Sequence, residues 1–208
     1  TALASWAAWR ADRGTEERLL QTQTRQAATV LSNAIQTIQQ PMAAALDAQR
    51  LVAPGDRAQA FTGRFEAMVG PDKLFDAASL WRLDGDSLVL EDGTALGTTP
   101  AVDPAGPEIQ AVLRRALSSS TSVVQRVSVG DRSRIVYALA DPTTGVVVYA
   151  ERPIPADRRA PVDQDSAYAD LDYAIYLGTG TETTDMTTTD VALDELPLDG
   201  LTSTASVP

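Results

Sequence analysis

The chain of 208 residues contains no cysteine and no histidine. Without thiols there are no disulfides, no thiolate nucleophiles and no cysteine-held zinc or iron–sulfur centres. Without imidazole there is no serine–histidine–aspartate triad. Lysine occurs once, at Lys73, in a loop after Pro71 and with no serine at helical spacing, so a Ser–Lys dyad is excluded as well. No stretch approaches the ~18 consecutive apolar residues that a membrane-spanning helix needs. Basic residues are outnumbered, 17 against 28 acids, for a formal net charge of −11. Clustered phosphate contacts require the opposite balance, which excludes a nucleic-acid partner.

Forty-four percent of the residues are hydrophobic, enough for a buried core. A chain of this length hides about 70% of its unfolded surface. The charge is uneven. Residues 1–159 carry all 17 bases and 18 acids, a net of −1, and the other ten acids lie beyond Arg159. That last quarter reads as a solvated acidic face. The first ten residues lack the basic start and long apolar stretch of a signal peptide. Trp6 and Trp9 lie three apart on one helical face, which suits either a membrane–water interface or a core cap. The end, Ser203–Pro208, reads as a strand cut short, so both termini point to a piece of a longer chain.

Residues 15–50 give the clearest helix signal. Thr15 is placed to cap it, with Glu16 and Glu17 in the first turn. Leu20, Thr24, Ala27, Leu31, Ala34, Ile38, Pro41 and Ala45 form a seam with alternating steps of four and three, and Val30, Ile35, Met42 and Leu46 widen it. Pro41 is expected to kink the helix or restart it at Gln40. A second helix, Arg57–Val69, presents Phe61, Phe65, Met68 and Val69 on one face and ends at Gly70-Pro71. The period then changes to two. Ala78–Leu83 and Ser87–Leu90 form a hairpin about Asp84-Gly85-Asp86. A helix follows over Pro107–Leu117, with proline in its first turn. Strands are expected at Ser122–Val129, Arg134–Ala140 and Gly145–Glu151. Tight links make neighbours antiparallel, in an α+β layer with helices on one side of a curved sheet. After a linker with Pro153, Pro155 and Pro161 come a short helix at Ser166–Asp170, a buried strand at Tyr173–Leu177, a Thr-rich loop from Gly178 to Asp190 and a strand at Leu201–Val207.

Carboxylates are the remaining acid–base equipment. Asp84, Asp86, Glu91 and Asp92 surround the first hairpin, but acids at turns hold the turn. Asp84-Gly-Asp86 opens like a calcium loop, yet Leu88 and Val89 stand where a ligand and the glycine belong. Gly178-Thr-Gly180 lacks the lysine of a phosphate loop. A carboxylate hydrolase built on Asp84 and Glu91 is therefore the weakest of three functional readings. Binding residues are better represented. A small-molecule site wants aromatic walls and one or two polar anchors. Trp81, Tyr137 and Tyr149 supply the former, and Arg126 or Arg134 could hold a carboxylate bidentately. On the strands, Val124, Arg126 and Ser128 share one face, and Ser133, Ile135 and Tyr137 lie opposite Arg134 and Val136.

Three stretches carry a family resemblance: the stalk Thr15–Ala27, the strand run Arg134–Ala140 into Gly145–Tyr149, and Asp172–Gly178. With this order of elements the chain resembles the extracytoplasmic PAS-like and CHASE-like sensor domains of actinobacterial membrane receptors, whether histidine kinases, cyclases or phosphatases. The resemblance implies an N-terminal stalk helix over 1–54, a PAS-like antiparallel sensor sheet over 55–157, and a smaller, truncated membrane-proximal α/β strand unit over 158–208. It also implies a non-enzymatic fragment on the extracellular face of the membrane, without a cofactor or metal. Its partners would be an unknown small-molecule ligand, a second copy of the stalk in a homodimer, and flanking transmembrane helices in the parent protein. The rival reading is a secreted or surface-attached module that binds protein or glycan through its acidic C-terminal quarter.

Overall fold

The structure, a computed structural model, describes residues 2–97, 106–119, 121–129, 132–159, 174–177 and 186–187, without the side chains of 2–17, 30, 31, 34, 129 and 132. Helix α1 runs Ala2–Leu51, 50 residues, or about 75 Å at ~1.5 Å per residue. It does not start at Thr15. The Ala-rich stretch before Thr15 contains no proline and is a good helix former, so it propagates the helix upstream and leaves Glu16 and Glu17 inside it. The restart at Gln40 is also corrected, since the helix passes through Pro41 unbroken. An interior proline costs about 3 kcal/mol. Met42 and Leu46, buried just beyond it with Ala45, each return roughly 1.5–3 kcal/mol. Burial wins. Thr22, Thr24, Thr29 and Thr37 are accommodated by donating their hydroxyls to the carbonyl four residues back, at 2.8–3.0 Å.

The two ends of α1 live in different surroundings. No described side chain from Arg18 to Pro41 is buried, whereas Met42, Ala45, Leu46, Ala48 and Gln49 are. Leu20, Thr24, Ala27 and Ile38 of the seam are half-buried. Only Ile38 among them packs against the core cluster.

A 3₁₀ turn at Pro54–Asp56 leads into α2, Arg57–Phe65, and a second at Glu66–Met68 follows. The expected helix to Val69 is therefore shorter. Val69 is extended and bridges Phe75. Phe61, Phe65 and Phe75 stack with centroids 4.8 and 5.7 Å apart, and Phe75 meets Tyr137 edge-on at 6.1 Å.

The strands are β1 (Ala77–Asp84), β2 (Ser87–Leu90), β3 (Leu96–Gly97), β4 (Val123–Val129), β5 (Arg132–Asp141) and β6 (Val146–Pro153), with α3 (Pro107–Ser118) between β3 and β4. They form one sheet in the order β2-β1-β6-β5-β4, with β3 also paired to β1, and every pairing is antiparallel. The two-residue β3 falls in a segment read from sequence as loop. The sheet is open, and helices cover both of its faces rather than one. On one face Met42, Phe61 and Phe65 of α1 and α2 pack on Leu80, Ile135, Tyr137 and Val148. On the other, Ile109, Val112, Leu113 and Ala116 of α3 pack on Trp81, Val127, Val136 and Tyr149. Central β6 is accordingly buried without a break from Val146 to Glu151. An unbroken apolar run of this kind is what a strand covered on both sides requires.

Beyond the sheet, β7 (Ala174–Ile175) and β8 (Met186–Thr187) form a small antiparallel pair. The strand expected over Tyr173–Leu177 is thus shorter and half-buried, and β8 lies within the Thr-rich stretch expected to be loop. Leu177 and Met186 pack against the α1–α2 face, and the Thr187 amide donates to the Arg158 carbonyl at 3.0 Å. The helix expected at Ser166–Asp170, the strand at Leu201–Val207 and the side chains of Trp6 and Trp9 lie outside the described residues. No helix among the described residues is long and apolar enough to cross a membrane.

Gly97 pins β3 to β1. Its φ is +89°, and a Cβ there would lie 2.1 Å from the Asp76 carbonyl oxygen and 2.6 Å from Val69. No L side chain fits, in conformation or in space. Gly97→Ala is expected to destabilise by more than the ~1 kcal/mol of an ordinary left-handed glycine site, read as a lower urea midpoint. A change within error would contradict the close approach.

Candidate functional site

Period two sorts the five candidate binding residues onto opposite sides of the sheet. Trp81, Arg134 and Tyr149 share the face covered by α3. Arg126 and Tyr137 belong to the face covered by α1 and α2, Arg126 directly across from Ile135 and Tyr137 from Val124. The five therefore do not converge on one site. Tyr137 is 4% exposed and packed against Phe75, and burial raises its phenol pKa. Arg126 is half-buried and engaged in a polar contact.

The α3 face holds the polar centre. Register places Ser79 beside Tyr149 and Ala77 beside Glu151, with Val136 on the other side of Glu151. Glu151 is fully buried at 0% exposure, Tyr149 is 4% exposed and Arg134 8%. The Tyr149 hydroxyl donates to Glu151 Oε2 at 2.7 Å. Arg134 Nη1 donates to Asp76 Oδ2 at 2.7 Å and approaches Glu151 Oε1 at 3.3 Å. That last approach is an ion contact without hydrogen-bond geometry, so among the described residues Oε1 has no hydrogen-bond partner, and neither has the buried Arg134 Nε. Trp81 Nε1 donates to Ser79 Oγ at 2.9 Å nearby. Burial raises the Glu151 pKa above the usual carboxylate range, against the Tyr149 hydrogen bond and the Arg134 charge, which lower it. The Tyr149 phenol is raised by burial first and by the Glu151 charge second.

Arg134, assigned from sequence to an incoming carboxylate, thus already holds two carboxylates of its own chain. Asp76, Ser79 and Glu151 were not singled out by the sequence reading. The available signal was Glu151 itself, an acid closing the run Val146-Val-Val-Tyr-Ala150. A charge there must be matched or neutralised, because an isolated buried carboxylate is too costly to keep.

The opposite end of β5 and β6 is tied to α1. Arg50 Nε donates to Asp141 Oδ2 at 2.8 Å, and Arg50 also meets Asp47 at 3.0 Å. Asp141 Oδ1 accepts from the Thr143 amide, and the Asp141 carbonyl from the Gly145 amide, closing the β5–β6 turn. The Arg50 hydrogen bond, against desolvation, holds the Asp141 pKa down to about 2 from 3.8. A depressed carboxylate stabilises the fold above its unfolded pKa, and that contribution is lost as pH falls through the folded value. Stability due to Asp141 should therefore fade between about pH 4 and pH 2. Asp141→Asn should flatten acid unfolding in that window, as followed by circular dichroism; an unaltered acid limb would contradict the link.

The turn acids behave as turn residues. Asp84, Asp86 and Asp92 are exposed, and Glu91 pairs with Arg82 Nε at 3.3 Å. Among the described residues no three His, Cys, Asp or Glu side chains are grouped to hold a metal. Comparison with family models, curated proteins and solved structures found no match.

Proposed function

We propose that this chain is the extracytoplasmic, ligand-sensing domain of a membrane-bound signal-transduction receptor, with a PAS-like fold. Leaving aside the two-residue β3, consecutive strands lie across the sheet with the last at its centre and a hairpin on either side, an order consistent with a PAS-like sheet. The observation that carries the reading is α1. Its last turns are buried against β5, β6 and α2, while the earlier seam residues Leu20, Thr24 and Ala27 are only half-buried and pack in neither core cluster. A helix alone in water has no use for such a seam, and a second copy of the same helix does. The receptor would work by favouring one of two packings of paired stalks. Arg50 and Asp141 join the stalk to the central hairpin, so movement of β5 or β6 reaches α1 directly. A kinase, cyclase or phosphatase output would lie elsewhere in the parent protein.

The test is the oligomeric state of a seam variant. Leu20→Glu combined with Ala27→Glu should turn a dimer into a monomer in sedimentation, with the thermal midpoint of the sheet body little changed. A monomeric wild type, or a double variant that stays dimeric, would contradict the paired stalk. Unfolding of the double variant would assign these positions to the core instead.

A further inference from the structure

The chain has three methionines, Met42, Met68 and Met186, and all three belong to one apolar cluster or pack against it. Met42 lies inside the cluster on the α1–α2 face, with Phe61, Phe65, Phe75 and Tyr137, and Met68 and Met186 pack on its margin. They come from separate parts of the fold: the end of α1, the 3₁₀ turn before β1, and strand β8. Their accessibility is graded. Met42 is 0% exposed, whereas Met68 and Met186 are half-buried. No cysteine competes with them for an oxidant. We propose that Met68 and Met186 are a reversible oxidation site for peroxides, and that sulfoxide formation there loosens the 3₁₀ turn and the β7–β8 pair from the aromatic core. This function is independent of whether α1 pairs with a second copy.

Each accessible methionine sits beside a backbone hydrogen bond that fixes its element. The Met68 carbonyl accepts the Phe75 amide at 3.0 Å. That bond closes the loop into β1 and seats the Phe75 ring between Phe65 and Tyr137. Met186 lies opposite Ile175 in the β7–β8 pair. The next residue, Thr187, donates its amide to the Arg158 carbonyl at 3.0 Å, which ties β8 to the segment leaving β6. Strands β7 and β8 have two residues each, and so short a pair is marginal by itself. Packing of Leu177 and Met186 on the cluster supplies the apolar burial that it needs. A thioether serves well there, because it is unbranched and polarisable and fills gaps beside aromatic rings. A sulfoxide does not. Its oxygen is a polar acceptor that must stay in water or be buried without a donor.

The step balances with hydrogen peroxide as the oxidant. A sulfur lone pair attacks one peroxide oxygen, an S–O bond forms and the O–O bond breaks. The proton on the transferred oxygen passes to the departing hydroxide, which leaves as water. Sulfur loses two electrons and the peroxide gains them. Reversal needs a dithiol, and this chain has no thiol of its own. A separate methionine sulfoxide reductase supplies it: the oxygen leaves as water and the dithiol closes to a disulfide. Met42, wholly inaccessible, reacts only once the fold opens.

Dilute hydrogen peroxide added to the whole chain, followed by peptide mass mapping, reads the sites directly. The native protein should take up two oxygens, at Met68 and Met186, and a third at Met42 only in denaturing urea. Backbone hydrogen exchange reads the consequence. Protection of the Phe75 and Thr187 amides should fall by roughly tenfold on oxidation, the factor that corresponds to ~1.4 kcal/mol of lost apolar burial. Methionine sulfoxide reductases for both epimers, with dithiothreitol, should restore it. Met68→Leu should spare the Phe75 amide and Met186→Leu the Thr187 amide, because leucine keeps the apolar contact and takes up no oxygen. Oxidation of Met42 in the native protein as fast as Met68 and Met186 would overturn the proposal, as would native resistance of those two. Unchanged protection after both are oxidised would also overturn it, as would a loss that persists in the double leucine variant. Should a leucine variant fail to fold, the order of oxidation in the wild type decides, since it needs no substitution.

Discussion

Replacing Arg134 with methionine should destabilise the domain by about 3–5 kcal/mol at neutral pH, the usual cost of leaving a buried charge without its partner. Methionine keeps most of the apolar stem and removes only the guanidinium, so the loss reports charge rather than volume. What remains is Asp76 and Glu151 facing each other across the vacated position. Glu151, already raised by burial, would then lose the guanidinium charge that lowers it and keep the Asp76 charge that raises it. Groups raised in the folded state are most stabilising when protonated, so the deficit of Arg134→Met should shrink as pH falls toward 4. Adding Glu151→Gln should restore part of the lost stability at pH 7, because it removes the charge left over. Urea unfolding at pH 5 and pH 8 measures all of this. A loss below about 1 kcal/mol, the scale of exposed ion pairs, would show that the cluster is solvated.

The second large effect lies on the other face. Phe65 is fully buried and stacks between Phe61 and Phe75. It joins α2 to the segment that enters β1, and Phe75 carries the contact on to Tyr137 of β5. Phe65→Ala should cost about 3–5 kcal/mol, the transfer of the ring plus the cavity it leaves. The denaturant slope should be unchanged if unfolding stays two-state. Leu83 is the matched control: it is 41% exposed at the end of β1, and Leu83→Ala should fall within about 0.5 kcal/mol of wild type. Equal losses at the two positions would mean that the α1–α2 layer is not seated on the sheet.

Much of the architecture could be read from periodicity. The hairpin β1–β2, helix α3 and the three long strands β4, β5 and β6 lie within one or two residues of their expected bounds, because patterns of two and of 3.6 extend over enough residues to be distinguished. Elements of two residues have no period, which is why β3 and β8 were not found. The helix layer on both faces was legible but unread. Val146-Val-Val-Tyr-Ala150 has no polar side to give to water, which already demands cover above and below. The start of α1 was misplaced because Thr15, Glu16 and Glu17 match a cap so well; a cap signal ends a helix only where the upstream sequence resists it, and Ala2–Gly14 does not.

The candidate site was half legible for a similar reason. Alternation alone separates Arg134 from Tyr137 on β5, and the structure keeps that division. What alternation cannot give is the pairing across strands. Glu151 becomes meaningful only when β5 brings Arg134 to it and the β6 register sets Ala77, next to Asp76, alongside. Asp76 lies 58 residues from Arg134 and 75 from Glu151, so no local pattern connects the three.

Membrane topology of the parent protein tests the receptor reading most directly. Reporter fusions that are active only outside the cytoplasm, placed at the exposed β1–β2 turn near Asp86, should be active. Apolar spans should flank residues 1 and 208 in the parent gene. A reporter active only in the cytoplasm, or a parent gene without an apolar span on either side, would contradict the account.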